Sequence, residues 1–292
     1  MVRRHRRTYG DRVLILCINV LMAVCSFIFL YPMWQTLVLS FSPAAYADSL
    51  GFKFWPKQFS LEPMRYVFSS SSIYIGYQNT LIRTGVGTFL SVFVTYCGAY
   101  TLSRRDLPCK APITFLIIFT MFFSGGLIPS YLNMRNLGLI GSRWALILPG
   151  LTSAWNLVIA RNFIASLPSE LEEAAMVDGA HPLRIVFQIL LPLSKPILAV
   201  LSLWIAVGHW NAWFDAMLYN NEAHLQVLQL VVRRMVMETA NDAESYALRA
   251  ADVASSSVKA ATIVVSVFPI LCLYPFLQKH FVKGVMVGAL KG

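Results

Sequence analysis

Acidic residues are scarce in this chain: 14 Asp and Glu stand against 24 Lys and Arg in 292 residues, and only 13% of the chain is charged. Beside 57% hydrophobic residues, so small a charged fraction excludes a soluble domain, because one core of this size cannot hide that much apolar surface. Cysteine is also sparse. The five, Cys17, Cys25, Cys97, Cys109 and Cys272, stand singly, mostly in apolar runs and without a C-x-x-C pair, which argues for membrane-core fillers and against disulfides or metal ligands. There is no G-x-x-x-x-G-K-S/T loop to cradle phosphates, and no set of nucleophile, base and metal ligands converges on one site. The chain is therefore expected not to be an enzyme and to bind no cofactor or metal itself. Internal repeats, low-complexity tracts and a separate soluble domain are lacking too.

What remains is apolar sequence, with a mean hydropathy of +0.60. The expected class is an all-α integral membrane protein. A bilayer core requires about 20 residues of helix. Six stretches approach or exceed this: Val13 to Leu39, Ile73 to Leu102, Ala111 to Ile128, Trp144 to Ile164, Pro196 to Leu218 and Ala261 to Phe276. The net charge of +10 does not signal nucleic acid, since the basic residues sit at the ends of apolar spans. Arg3, Arg4, Arg6, Arg7 and Arg12, then Arg104, Arg105 and Lys110, then Arg161, Arg184 and Lys195, orient the chain with both termini in the cytoplasm. The first apolar run is longer than a signal-peptide core and has no small-residue cleavage site, so it is expected to stay as an anchor. The organisation is a basic segment 1–12, a membrane domain 13–282 and a tail 283–292, in which Gly284, Gly288 and Gly292 would allow close approach to a partner. Gly125-Gly126 and Pro129 are expected to break the third span. The longest polar stretch, Asn220 to Lys259, is expected outside, helical over Leu225 to Met237.

One charged interlude interrupts the apolar pattern: Ser169 to Pro192, within a loop 168–192 on the cytoplasmic side. It reads as two short helices. Ser169 and Glu172 have the spacing of a capping box, after a proline that discourages helix before it. Glu170, Glu172 and Glu173 suit the positive end of the first helix, and Leu171, Ala174 and Ala175 share one face. Asp178 and Gly179 close it, with Gly179 as the residue able to take positive φ. A helix of about nine residues is too short to be stable alone. It is expected to dock, its alanines allowing close approach.

Polar groups inside the spans are costly enough to mark either helix-helix contacts or a water-lined path. Asn79 and Arg83 lie in the second span, Asn156 in the fourth, and His209, Trp210, Asn211, Trp213 and Asp215 close the fifth. Tryptophan faces beside amide and carboxylate groups suit the CH faces and hydroxyls of a sugar. All eight are candidate substrate-path residues, with Arg83 and His209 as groups that would favour acidic sugars.

The pattern Glu173-Ala174-Ala175, Gly179, Ile189-x-Leu191-Pro192 resembles the EAA loop of the membrane permease subunits of bacterial ABC importers. The Trp210-Asn211 pair, Phe123 to Pro129, Pro192 to Pro196 and the ending Phe281 to Gly292 resemble MalG-like carbohydrate permeases, in the LplC/YtcP branch. One departure is that Ala212 follows Asn211 where many sugar permeases carry an aspartate. The resemblance implies the type I ABC importer permease fold, six transmembrane helices and a coupling helix built on Glu172, Glu173, Ala174, Ala175, Asp178 and Gly179. It also implies a second homologous permease subunit, two ATP-binding subunits that hold the ATP and magnesium, and an extracellular solute-binding protein. The implied cargo is an oligosaccharide crossing the bacterial cytoplasmic membrane. The alternatives are an ABC permease for a non-sugar solute and a secondary transporter, the latter opposed by the lack of paired repeats and of a midplane acid.

Overall fold

The computed structural model describes residues 9–237 and 256–289, and side chains as far as residue 272. It is all helical. In chain order the helices are α1 (Tyr9–Ser40), α2 (Ala44–Ala47), α3 (Glu62–Ser69), α4 (Ser71–Ser103), α5 (Lys110–Phe122), α6 (Leu127–Asn136), α7 (Ala154–Ala165), α8 (Glu170–Val177), α9 (Pro182–Arg184), α10 (Leu191–Leu193), α11 (Lys195–Asn211), α12 (Phe214–Tyr219), α13 (Leu228–Met237) and α14 (Ser256–Ala289). A π-helical turn, Ile185–Leu190, joins α9 to α10, and 3-10 turns occupy Arg143–Leu146, Leu148–Gly150 and Ala223–Leu225.

The residues divide into two compact units, 1–69 with 235–266, and 70–234 with 267–292. In the first unit, α1 has 32 residues and a mean hydropathy of 2.8 over its most apolar window. At 1.5 Å per residue it is about 48 Å long, more than the hydrocarbon core of a bilayer. Leu14, Leu21, Phe29 and Leu30 are exposed along it, an arrangement that suits lipid as solvent. The loop after α1 is clasped by Lys53. Its buried ammonium donates to the carbonyls of Tyr46 (2.5 Å), Ala47 (2.7 Å) and Ser49 (2.6 Å), and its backbone N–H donates to the Tyr31 hydroxyl at 2.9 Å. Three carbonyls at the end of α2 thus find the cation that a buried helix terminus needs.

In the second unit, α4 is the central helix and packs against α7 and α11. Its buried positions, among them Gly76, Thr80, Arg83, Gly87, Ser91, Thr95 and Ala99, recur every three or four residues and are mostly small or polar. Leu81, Val86, Phe89 and Phe93 face outward. This is the reverse of a water-soluble helix, and it is how a helix packs when its outer solvent is hydrocarbon. Its mean hydropathy is accordingly only 1.3. Tyr96 and Ala99 join Ala160, Ile164, Val186 and Leu201 in one apolar cluster; Met134, Leu146, Ala216, Tyr219, Val227 and Leu230 belong to a second.

The six expected stretches fare differently. The first and second lie inside α1 and α4, the two helices that are long and apolar enough to span on their own. The third breaks at Gly125-Gly126 as expected, and α5 and α6 meet at 115°. The fourth is not one helix: 3-10 turns carry the chain through Pro149 and Gly150, and the Ser153 hydroxyl then caps a 12-residue α7 by accepting from the Asn156 N–H. Proline lacks the N–H needed to continue. The fifth stops at Asn211, because Ala212 is extended (φ −75°, ψ 130°), and resumes as α12. Before it, Pro182–Leu193 meets α11 at 78°, and with each bent pair taken as one span the count by length and hydropathy is four. The sixth stretch lies within α14. Residues 1–8, 238–255 and 290–292, with the side chains of 273–289, lie outside the described residues, and with them most of the basic N-terminal segment, Glu238, Asp242 and Glu244 and the tail glycines.

Candidate functional site

The 168–192 hairpin is built by local rules, with one substitution for the expected start. Ser169 adopts helical angles (φ −65°, ψ −26°) and its hydroxyl caps nothing. The capping box does not form. Backbone bonds from the Glu172 and Glu173 N–H groups to the Ser169 carbonyl, both 3.0 Å, open α8 instead. Glu172 turns to Arg104, the residue just past α4, and forms an ion pair with its guanidinium. A charge-assisted bond to a guanidinium outweighs a bond to a neutral N–H, which is why the carboxylate leaves the cap. At the other end Gly179 has φ +74°, its N–H donates to Met176 at 3.0 Å and that of Ala180 donates to Ala175 at 2.9 Å. This pair of bonds is a Schellman closure, and it requires the left-handed conformation that glycine adopts without a steric penalty.

The faces of α8 part company here. Ala175 is 8% exposed and packs inward on Ile185 and Leu190 of the same hairpin, so it is not available to an outside partner. Leu171, Ala174 and Val177, the last 88% exposed, lie on the outer face together with Met176. Glu173 and Asp178 are exposed. The hairpin is tied to α4 a second time by the Tyr96 hydroxyl, which donates to the Val186 carbonyl at 2.7 Å. Asp106, in the loop after α4, is fully exposed yet held below the usual carboxylate range, first by its own backbone N–H and then by Arg104.

The other end of α4 gathers most of the intramembrane polar candidates into one network. Arg83 is buried and forms a two-pronged ion pair with Asp215, one prong at 3.1 Å. It also donates to the Ala212 carbonyl and to His209 Nδ1, each at 3.4 Å. His209 sits tightly over Gly87, where an added Cβ would lie 2.7 Å from its Nε2; only glycine admits the ring so close. Asn79 spends its whole amide within the chain, donating to the carbonyls of His224 (2.8 Å) and Gln226 (3.0 Å) and accepting from Arg143 Nε at 2.9 Å. Trp213 lies against Arg233, whose guanidinium carbon is 3.8 Å from the ring centroid. Trp210 is buried with its ring edge-on to Tyr77. Asn156 is apart from this network: no side-chain hydrogen bond among the described residues connects it to the others, and its N–H serves the Ser153 cap.

Sequence reading gave no site role to Arg143, Arg233 or Thr80, whose hydroxyl accepts from the Leu228 N–H at 2.9 Å, and it read Arg104 only as an orienting charge. Nothing local marks them. Their partners lie 64, 20, 148 and 68 residues away; Asn79, Trp213 and Glu172 among them were already singled out, for other roles.

Trp210 and Asn211 line a cavity of about 690 Å³ in the second unit, between α4, α11 and α14. Thr84, Thr88, Ser202, Trp204 and Ile270 share its wall. Among the described residues the lining carries no charged side chain.

A polar network stapling one end of a central helix, a short exposed helix clipped to its other end, and lipid-facing apolar side chains between them define a membrane transport subunit. The chain belongs to the family of binding-protein-dependent transport system inner membrane components, whose model matches residues 1–287. It is 41% identical over 263 residues to the polygalacturonan/rhamnogalacturonan transport system permease protein YtcP of Bacillus subtilis (strain 168), covering 89% of this chain and 92% of that protein. It is 37% identical to the protein LplC of the same organism over 286 residues, 98% and 97% of the two chains. Among solved structures it matches a chain of a bacterial ABC transporter involved in the import of the acidic polysaccharide alginate, with a TM-score of 0.87, 31% identity and coverage of 94% and 98%. The chain therefore has the type I ABC permease fold, and its family is one of transport permeases and not of enzymes.

Proposed function

We infer that this chain is the membrane-spanning subunit of an ATP-driven importer of oligosaccharides, and that the 168–192 hairpin transmits the ATPase stroke. The observation that carries the coupling role is α8: an eight-residue helix, closed at Gly179, clipped to α4 by Glu172 and Tyr96, and presenting Leu171 and Val177 outward. A helix too short to be stable alone, yet held on its inner face and apolar on its outer face, is suited to a cleft in a partner. In this reading six membrane crossings form the domain 13–282, the broken third, fourth and fifth spans each counting as one, and both termini lie in the cytoplasm. Two ATP-binding subunits hold the ATP and magnesium, a second homologous permease completes the path, and an extracellular solute-binding protein delivers the cargo. Closure of the ATPases moves the hairpin as a lever because its ties to α4 make the pair one body, shifting the path from inward-open to outward-open. The sugar assignment rests on the relatives named above.

The test is the full complex carrying Leu171→Asp with Val177→Asp, side chains that touch no described core. Loss of ATPase subunits on purification, or ATP hydrolysis that no longer responds to loaded binding protein, is expected. Normal co-purification with a normal response would overturn the coupling role. Orientation is checked separately: cysteine at Ser70 or Asn241 should react with an impermeant reagent in intact cells, and cysteine at Ser169 should not. Uptake of a phosphorylated polyol in place of any saccharide would move the chain to the non-sugar branch of its family.

A further inference from the structure

The cavity between α4, α11 and α14 has two chemical peculiarities. The Thr84 and Thr88 hydroxyl oxygens are buried without any hydrogen-bond partner among the described residues, although both threonines line the cavity. They stand one helical turn apart and so face the same way. A buried hydroxyl without a partner costs free energy, and threonine in a helix usually avoids the cost by bonding the carbonyl four residues back or by changing χ1. Such a rotation exchanges methyl for hydroxyl at the cavity wall, turning two idle donors toward whatever fills it. Ser202 and Asn211 supply a further hydroxyl and an amide, and Trp204 supplies an aromatic face that is 44% exposed.

The second peculiarity is charge. Arg83 lies one residue before Thr84, but its guanidinium is turned to Asp215 and is neutralised there. Among the described residues no Lys, Arg, Asp or Glu lines the cavity. A sugar carboxylate entering it would find no cation among the described residues, whereas sugar hydroxyls and CH faces would find an indole, an amide and, after the χ1 rotation, the threonine hydroxyls. The volume, about 690 Å³, is within the range of small-molecule pockets, about 300–1,000 Å³.

We propose that this cavity is a saccharide subsite contributed by this chain, reading hydroxyl groups through Thr84 and Thr88 and stacking one sugar ring on Trp204, with no provision for a carboxylate. The proposal rests on the reading of the chain as a sugar importer subunit and goes beyond it by assigning residues and selectivity. Acidic polymers are thus accepted, if at all, through their uncharged faces at this point of the path.

The experiment uses the complete importer in proteoliposomes with two probes, galactotriose and trigalacturonate. Thr84→Val with Thr88→Val is nearly isosteric and removes both unpaired hydroxyls, so it should raise the thermal stability of the purified complex while lowering uptake about tenfold, the loss of two ordinary hydrogen bonds. Trp204→Ala should lower uptake of both saccharides. Thr88→Lys, which adds the missing cation, should raise the ratio of trigalacturonate to galactotriose uptake. Greater stability with unchanged uptake in the double valine variant would show that the hydroxyls serve only lipid or water and overturn the subsite. An unshifted ratio in Thr88→Lys would overturn its selectivity. A wild-type complex that moves neither saccharide would overturn the sugar reading and the subsite with it, a failure visible before any variant is made.

Discussion

The two ends of α4 are held by different physics. Around Arg83, itself 5% exposed and paired with an Asp215 that is 31% exposed, the contacts are charged and multiple, and they draw in residues from α11, the extended break at Ala212 and the 223–228 segment. Around Arg104 they are few: one ion pair, with Arg104 32% and Glu172 17% exposed, one tyrosine hydroxyl, and a small cluster of Ala175, Ile185 and Leu190. A guanidinium shared among several partners fixes geometry because the loss of one bond leaves the others in place, while a single partly exposed pair gives way at little cost. One end of the helix is an anchor. The other carries a short helix on one ion pair, one hydroxyl and a small apolar cluster.

The largest expected effect breaks the anchor. Arg83→Leu removes a guanidinium that is 5% exposed and leaves Asp215, 31% exposed, without its partner, and should destabilise the solubilised complex by about 1.5–3 kcal/mol, the worth of a hydrogen bond to a charged group. Adding Asp215→Leu should restore most of the melting temperature, because a matched apolar pair no longer has a charge to desolvate; if the double variant is worse than the single, the pair is not what holds this end. Gly179→Val comes next. A β-branched side chain at φ +74° should cost about 1–2 kcal/mol, confined to the hairpin, so that membrane insertion is normal and the ATPase response is lost. Limited proteolysis would localise the damage, and cleavage rising equally across the chain would refute the confinement. Glu172→Gln should cost under about 1 kcal/mol and its effect should vanish at high ionic strength, the signature of a partly exposed pair. Melting curves at low and high salt decide it.

The smallest effect concerns Asp106. Its folded pKa is depressed, so its contribution is present above the ordinary carboxylate range and is lost as pH falls through the lowered folded value. The wild type should therefore exceed Asp106→Asn slightly at neutral pH and match it in acid. A gap that is constant with pH would show the carboxylate charge to be irrelevant.

Local chemistry was legible in the sequence, and distant pairing was not. The limits of α1 and α4, the break at Gly125-Gly126 and the turn at Gly179 follow from apolar length and from glycine, properties carried within a few residues. The 3-10 path through Pro149 was missed because apolar composition alone does not distinguish a helix from tight turns in a buried segment. Ser169 was assigned to a cap that an arginine 65 positions earlier removes by attracting Glu172. Arg83 and Asp215 were both singled out, but for a substrate, since periodicity contains nothing to pair residues 132 positions apart. Asn79 was read in the same way, and its three intramolecular bonds have the same long-range origin.

That separation also bears on how the protein is made. With a mean hydropathy of 2.8, α1 can partition into the bilayer as soon as it leaves the ribosome. At 1.3, and carrying a guanidinium whose transfer to mid-bilayer costs about 2.5–3.5 kcal/mol, α4 is a reluctant passenger. The carboxylate that neutralises Arg83 is synthesised 132 residues later. Until then the nascent helix carries its arginine without the carboxylate that pairs with it in the folded chain.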